Sequence, residues 1–277
     1  PYTTLYRSTL NNPFFVDLRD GAQAAAKDLG VDLMVSDAQN DSSTQQNQAQ
    51  NAQSQGAKAV IINPVDSDAA SPAVAPLLSS SLPVISVDRS VTGEDVTSHI
   101  ASDNVAGGAQ AADELAKAVG EKGKVIILQG TPGAASTRDR GDGFKKEIKK
   151  YSGIEVVAEQ TANFDRAEAL DVTTNLMQSN PDVVGIYAEN DEMALGAIQS
   201  LGSKAGADVK IFGFDGTEDG LKAVSNGTMV GTIAQQPKEL GKKAVEAAVK
   251  AIKGESVEKT ESIEVKTVTK GNVADFQ

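Results

Sequence analysis

The sequence predicts an α/β protein built as two doubly wound parallel-sheet lobes. Short apolar runs, such as residues 57–62, 125–128 and 183–188, alternate with helix-length amphipathic stretches along the whole chain. That alternation is the mark of parallel strands covered by helices on both faces. The chain carries more βα units than one open sheet of ordinary size holds, which favours a division into two lobes. A spacing also recurs: Asn63 and Asp88 are 25 residues apart, and so are Asn190 and Asp215. In each pair one apolar strand ends in an amide and the next ends in a carboxylate, as two structurally related lobes would produce.

Taken in order, the chain opens on a strand at Thr3-Thr4-Leu5-Tyr6-Arg7. This run is less apolar than a strand inside a doubly wound lobe should be, and Arg7 is expected to reach the surface along its apolar stem or to meet a carboxylate. Ser8-Thr9-Leu10-Asn11-Asn12-Pro13-Phe14-Phe15 then turns into the first helix. Proline suits a first helical turn, and the residue before it is pushed out of the α region, so Asn12 belongs to the turn. The helix runs to about Leu29 and stops at Gly30.

A second strand covers 31–37, and a Gln- and Asn-rich helix covers 42–55, with Ala49 and Ala52 as its small packing residues. Strands at 57–62 and 82–87 flank a helix at 69–80; they end in Asn63-Pro64-Val65-Asp66 and Asp88-Arg89. The second half repeats the rhythm. A helix at 105–119 starts from an Asp103-Asn104 cap. Strands fall at 124–128, 154–159, 183–188, 209–214 and 229–234, separated by helices at 136–151, 166–179 and 192–201. A long helix from Lys238 to Ile252 follows, and the tail around Val265, Thr267 and Val268 forms one last extended segment.

Composition narrows the function. The 277 residues include 40% hydrophobic residues, enough for a packed core, and the net charge of −12 argues against a nucleic-acid surface. No apolar run approaches the length of a membrane span. No leader peptide is visible, so the chain is expected to be cytosolic or a mature exported form. It has no Cys and one His, which removes thiol chemistry, disulfides and Cys-ligated zinc. His99, in a short strand or crossover, is expected to be a hydrogen-bonded structural residue. Asp37-Ala38-Gln39-Asn40-Asp41 lacks the glycine and distal Glu of a calcium loop, and Gly130-Thr131-Pro132-Gly133 lacks the Lys-Ser/Thr ending of a phosphate loop. No metal or cofactor is expected.

In an open parallel sheet the ligand binds outside the C-terminal strand ends. The residues that end the strands are Asn12, Asp88, Arg89, Asn190, Asp215 and Gln235, with Phe14, Phe15 and Phe164 just beyond. Carboxylates accept hydrogen bonds from hydroxyls, Arg donates, Asn and Gln do both, and aromatic rings cover apolar faces. Three of the seven Phe residues sit at strand ends in a chain without Trp. The set suits a sugar, with hydroxyl edges and C–H faces. Each residue also has a plainer reading: the Asp residues as helix caps, the Phe residues as core, and the Arg at 140 as a partner of Asp139 or Asp142 on a solvated face.

The chain resembles the pentose/hexose type of periplasmic binding protein, the bacterial ribose-binding proteins of sugar ABC transporters. The resemblance spans nearly its whole length. It rests on Ser8 to Phe15, Ile62-Asn63-Pro64-Val65-Asp66-Ser67-Asp68-Ala69, Val87-Asp88-Arg89, His99-Ile100-Ala101-Ser102-Asp103-Asn104, Arg138-Asp139-Arg140-Gly141 and Asn163-Phe164-Asp165-Arg166. It continues through Asn190-Asp191-Glu192-Met193-Ala194-Leu195-Gly196-Ala197, Gly213-Phe214-Asp215-Gly216-Thr217 and Thr232-Ile233-Ala234-Gln235-Gln236-Pro237.

The resemblance implies a type I periplasmic binding protein fold, its lobes joined by a three-segment hinge near Asp103-Asn104, Gln235-Gln236 and residues 262–264. Residues 1–103 with 236–263 would form the N-terminal lobe, and 104–235 with 264–277 the C-terminal lobe. Sugar contacts map onto Asn12, Phe14, Phe15, Asp88 and Arg89 in the first lobe. In the second they map onto Arg140, Phe164, Asn190, Asp215 and Gln235. Only Arg140 among these comes from the resemblance alone. The implied protein is an extracytoplasmic monomer, periplasmic or lipid-anchored, that binds D-ribose with high affinity by closure of the two lobes. It would hand the sugar to a membrane permease, with a chemoreceptor as a further partner that the resemblance allows. Two other classes are set against this. The sugar-sensing effector domain of a repressor shares the architecture but would need a DNA-binding helix-turn-helix ahead of Pro1. A glycosidase would use Asp88 and Asp215 as paired carboxylates, but neighbouring Arg89 and Arg140 would hold both ionised, which is wrong for a general acid.

Overall fold

The computed structural model describes residues 2–7, 9 and 12–277, with Tyr2, Tyr6 and Arg7 described by backbone alone. The expected placement of the Arg7 side chain, and Ser8, Leu10 and Asn11 in the stretch before the first helix, lie outside the described residues. Two compact units emerge. One comprises Pro1–Ser102, Gly133–Ala135 and Gln236–Glu264; the other comprises Asp103–Pro132, Ser136–Gln235 and Val265–Gln277.

In the first unit, β1 (Tyr2–Arg7), β2 (Asp32–Asp37), β3 (Ala59–Ile62), β4 (Val84–Val87), β5 (Ser98–Ser102) and β11 (Thr260–Ile263) form one sheet in the order β11-β5-β4-β3-β1-β2. Every pairing in it is parallel. The four residues of β3 and of β4 are all buried, as strands sandwiched between helices must be. The strand β1, between β3 and the edge strand β2, is unusual: Thr3, Thr4 and Leu5 are buried, and the hydroxyls of both threonines find no partner among the described residues. Helices α1 (Pro13–Leu29) and α9 (Pro237–Ile252) cover one face, with Leu5, Leu18, Ile61, Ile85, Leu240 and Val245 in their shared core. Helices α2 (Ser42–Ser54) and α3 (Ser71–Ser79) cover a second cluster around Val60, Ile62, Val74 and Val84.

The second unit repeats the plan with β6 (Lys122–Gln129), β7 (Gly153–Thr161), β8 (Val183–Ala188), β9 (Lys210–Asp215), β10 (Gly231–Ala234) and β12 (Lys266–Thr269), ordered β12-β10-β9-β8-β6-β7. All pairs are parallel except β10 with β12. Its helices are α4 (Asn104–Ala118), α5 (Ala135–Ile148), α6 (Arg166–Ser179), α7 (Asp191–Leu201) and α8 (Glu218–Asn226). Phe144 and Tyr187 stack with centroids 4.3 Å apart in one of its two core clusters. In both sheets the strand order reverses beside the first strand, between β1 and β3 and between β6 and β8, where such sheets open a ligand crevice.

The expected tail segment around Val265, Thr267 and Val268 is β12, which closes the edge of the second sheet. Two elements go beyond the sequence reading: α8, between β9 and β10, and β11, which closes the edge of the first sheet. The sequence Thr-Glu-Ser-Ile of β11 is short and polar, as edge strands are when they avoid pairing with other chains, so it reads as a loop.

Helices α1 and α9 approach closely because each offers a glycine. A Cβ on Gly21 would overlap the Lys238 backbone, and one on Gly241 would overlap the Leu18 carbonyl. Gly241→Ala is expected to force the helices apart and cost about 1–3 kcal/mol in urea unfolding, as overpacking does.

A second prediction concerns Glu189, which follows β8 and is fully buried. Its Oε2 accepts from the Gly130 N–H at 2.8 Å, while Oε1 has no partner among the described residues. Burial pushes its carboxyl up from about 4.5 to about 8. The stabilising protonated form is fully present below the unfolded value, and its contribution is lost as pH rises through about 8. Glu189→Gln should therefore gain stability over the parent between pH 5 and 8, with the gap widening as pH rises, measured by urea midpoints across that range.

Candidate functional site

In the first unit the chain leaves β1 and enters α1 through Asn12, whose Oδ1 accepts from the Phe14 N–H at 2.9 Å and so caps the helix. Pro13 holds the first helical position. Phe14 and Phe15 meet edge to face, with centroids 5.2 Å apart, and both pack into the core beneath. At the end of β4, Asp88 takes a left-handed φ of 66° and does not cap a helix. Its Oδ2 accepts from Asn63 Nδ2 at 2.8 Å and lies 3.7 Å from Arg89 Nε. Arg89 Nη1 donates to the Pro64 and Val65 carbonyls at 3.1 and 3.0 Å, and the guanidinium sits 5.6 Å from the centroid of Phe15.

In the second unit, Asp215 ends β9 at φ 124° and its Oδ1 accepts from Gln235 Nε2 at 2.7 Å. Arg140 Nη1 lies 3.7 Å from that same oxygen. Arg140 is held on three further sides. Its Nε donates to Asn104 Oδ1 at 2.9 Å, its Nη1 donates to the Glu189 carbonyl at 2.7 Å, and its guanidinium stacks 3.9 Å over Phe214. Phe164 stands 5.8 Å from it on another side. Asn190 caps α7 by accepting from the Met193 N–H, and its Nδ2 faces the Phe164 carbonyl at 3.4 Å.

The structure therefore gathers Asn12, Phe14, Phe15, Asp88 and Arg89 at one sheet edge. It gathers Arg140, Phe164, Asn190, Asp215 and Gln235 at the other. Each unit carries one buried carboxylate–guanidinium pair at 3.7 Å with a Phe ring beside the guanidinium. The pairs are built differently: Arg89 follows its Asp directly, whereas Arg140 comes from α5. Such pairs are poor stabilisers, because desolvation offsets the attraction. They are well suited to hold directional donors and acceptors for a polar ligand.

Four supporting residues escape sequence reasoning. Gln45 is buried within the polar α2. Its Nε2 donates to the Asn63 carbonyl at 2.8 Å and its Oε1 accepts from the Val65 N–H at 3.0 Å, which fixes the turn on which Arg89 leans. It shares a helical face with Ala49 and Ala52, which is the signal that marks it. Asn63 stands in the recurrent spacing yet reads as a strand terminator. Asn104 and Phe214 grip Arg140, and nothing in their local sequence says so.

Other groups are structural. Asp191, wholly buried after Asn190, accepts from the Thr232 hydroxyl at 2.7 Å and from the Thr217 N–H at 2.8 Å. Burial raises its carboxyl above the usual range against those hydrogen bonds. His99 Nδ1 lies 2.8 Å from Ser86 Oγ, and burial lowers its imidazole, with Asp88 pulling the other way. No group of His, Asp and Glu suited to a metal ion occurs among the described residues. No helix there is long and apolar enough to cross a membrane.

Comparison with known proteins agrees with this fold. The periplasmic binding protein domain family matches residues 5–256. The ribose import binding protein of Salmonella typhimurium is 48% identical over 263 residues, covering 95% of this chain and 88% of that protein. The ribose import binding protein of Bacillus subtilis is 44% identical, covering 95% of this chain and 85% of that one. Among solved structures, an ABC transporter periplasmic solute binding protein from Actinobacillus succinogenes with bound D-allose aligns at a TM-score of 0.93 and 32% identity, over 99% of both chains. The chain belongs to the periplasmic binding protein domain family.

Proposed function

We propose that this chain is an extracytoplasmic solute-binding protein that captures D-ribose and delivers it to the permease of an ABC transporter. The observation that carries the reading is the matched pair of strand-end constellations, each with a buried carboxylate, a guanidinium and a Phe ring. A pyranose or furanose presents hydroxyls that donate to Asp88 and Asp215 and accept from Arg89 and Arg140. The amides of Asn12, Asn190 and Gln235 can serve either need. Phe14, Phe15 and Phe164 offer surfaces for the C–H faces of the ring. In this reading each unit supplies one set of sugar partners, and the passages of the chain at 102–103, 235–236 and 264–265 act as a hinge.

Ribose is favoured because relatives of that name share nearly half of this sequence over almost its full length. The arrangement is that of a binder. Both candidate carboxylates already pair with a guanidinium, at 3.7 Å in each unit.

A thermal-shift comparison of ribose, allose, galactose, xylose and arabinose is expected to give its largest stabilisation with ribose, by the mass action of a ligand on the folded state. Equal or absent shifts across the series would overturn the assignment. Arg89→Ala and Asp215→Ala each truncate one member of a buried charge pair facing the ligand. Each is expected to weaken ribose binding by about 2–5 kcal/mol, about thirtyfold or more. Calorimetry on variants with native circular dichroism checks this, and near-native affinity in both would remove these residues from the site.

A further inference from the structure

Phe164 is held in an unusual backbone state. Its φ is 59°, and Asn163 before it has φ 52°. A bulky side chain in the left-handed region is strained and persists only where its surroundings over-determine it.

Those surroundings centre on Gly130, in the turn after β6. A Cβ there would fall inside the Phe164 ring, so the ring rests directly on the backbone of the turn. The turn is pinned from both ends. Its N–H donates to Glu189 Oε2 at 2.8 Å, and its carbonyl accepts from Thr161 Oγ1 at 2.7 Å. Thr161 closes β7, three residues before Phe164, and the Ala162 N–H donates to the Gln129 carbonyl at 2.8 Å, tying the loop to β6. Glu189 directly follows β8, and its own carbonyl accepts from Arg140. One residue thus fixes both the seat of the ring and the guanidinium beside it. A fully buried carboxyl makes no sense as packing. Arg140, Lys145 and Glu159 are the charged groups that act on it, and Tyr187 lies close enough to sense its charge.

We propose that Gly130 is the seat of the Phe164 ring, and that Glu189 and Thr161 are positioning residues that set sugar affinity by holding this seat from either end. The proposal rests on the reading of Phe164 as a sugar-facing wall.

The test is ribose calorimetry on the full chain, at a temperature where circular dichroism shows each variant folded. Phe164→Ala and Gly130→Ala should each lose about tenfold or more in affinity, the first by deleting the ring and the second by unseating it. Glu189→Met keeps volume and burial but removes the acceptor. Thr161→Val keeps shape but removes the donor. Each should lose about three- to tenfold. Glu189→Gln and Thr161→Ser, which restore those groups, should return to within about threefold of the parent. A merely structural role would lower the melting temperatures of Glu189→Met and Thr161→Val without moving affinity, and that result overturns the proposal. Near-native binding by Gly130→Ala overturns it too. Near-native binding by Phe164→Ala instead overturns the site reading on which the proposal stands. Should Glu189→Met fail to fold, Thr161→Val, at a half-exposed position, decides the matter.

Discussion

The constraint on which the rest depends is the burial of a carboxylate against a guanidinium at the C-terminal edge of each sheet. An ion pair taken out of water needs more than its partner, because every remaining donor and acceptor must also be met. Around Asp88 and Arg89 this need recruits Asn63, the carbonyls of Pro64 and Val65 and, behind them, Gln45. Around Asp215 and Arg140 it recruits Gln235, Asn104, the Glu189 carbonyl and the face of Phe214. The apolar strands, helix caps and tight turns of each unit read as the scaffold that keeps these groups dry and aimed. A ligand rich in hydroxyls completes such a network, whereas an apolar one would leave it short of partners.

Much of this was legible in the chain. Parallel strands buried on both faces leave continuous apolar runs, and the residue where such a run stops is nearly fixed by the pattern. Asp88, Arg89, Asn190, Asp215 and Gln235 were found that way. Arg140 was not, because it lies a turn and a half into a helix that also carries Arg138. Nothing local separates the exposed arginine from the buried one; only packing against α4 and Phe214 does. Gln45 hides for a related reason. A helix of many glutamines carries one amide with a structural duty, and composition averages it away.

The two units also show how one architecture reaches one chemistry by different routes. In the first, the guanidinium follows its carboxylate in sequence and the rings open the first helix. In the second, the guanidinium comes from the first helix after β6 and the ring from the loop after β7. What is kept is the relation among charge, counter-charge and aromatic face, not the element that supplies each.

The sheet edges bear on how the chain comes to be folded at all. Ser98 in β5 donates to the carbonyl of Glu258, 160 residues further on. The face of α1 is closed by α9, which begins at Pro237. The first unit therefore cannot finish its sheet or cover its first helix until residues 237–263 have been synthesised. Contacts so distant in sequence slow folding and leave apolar surface open to capture by other proteins. A chain with this topology keeps apolar surface open to chaperones for as long as residues 237–263 are missing.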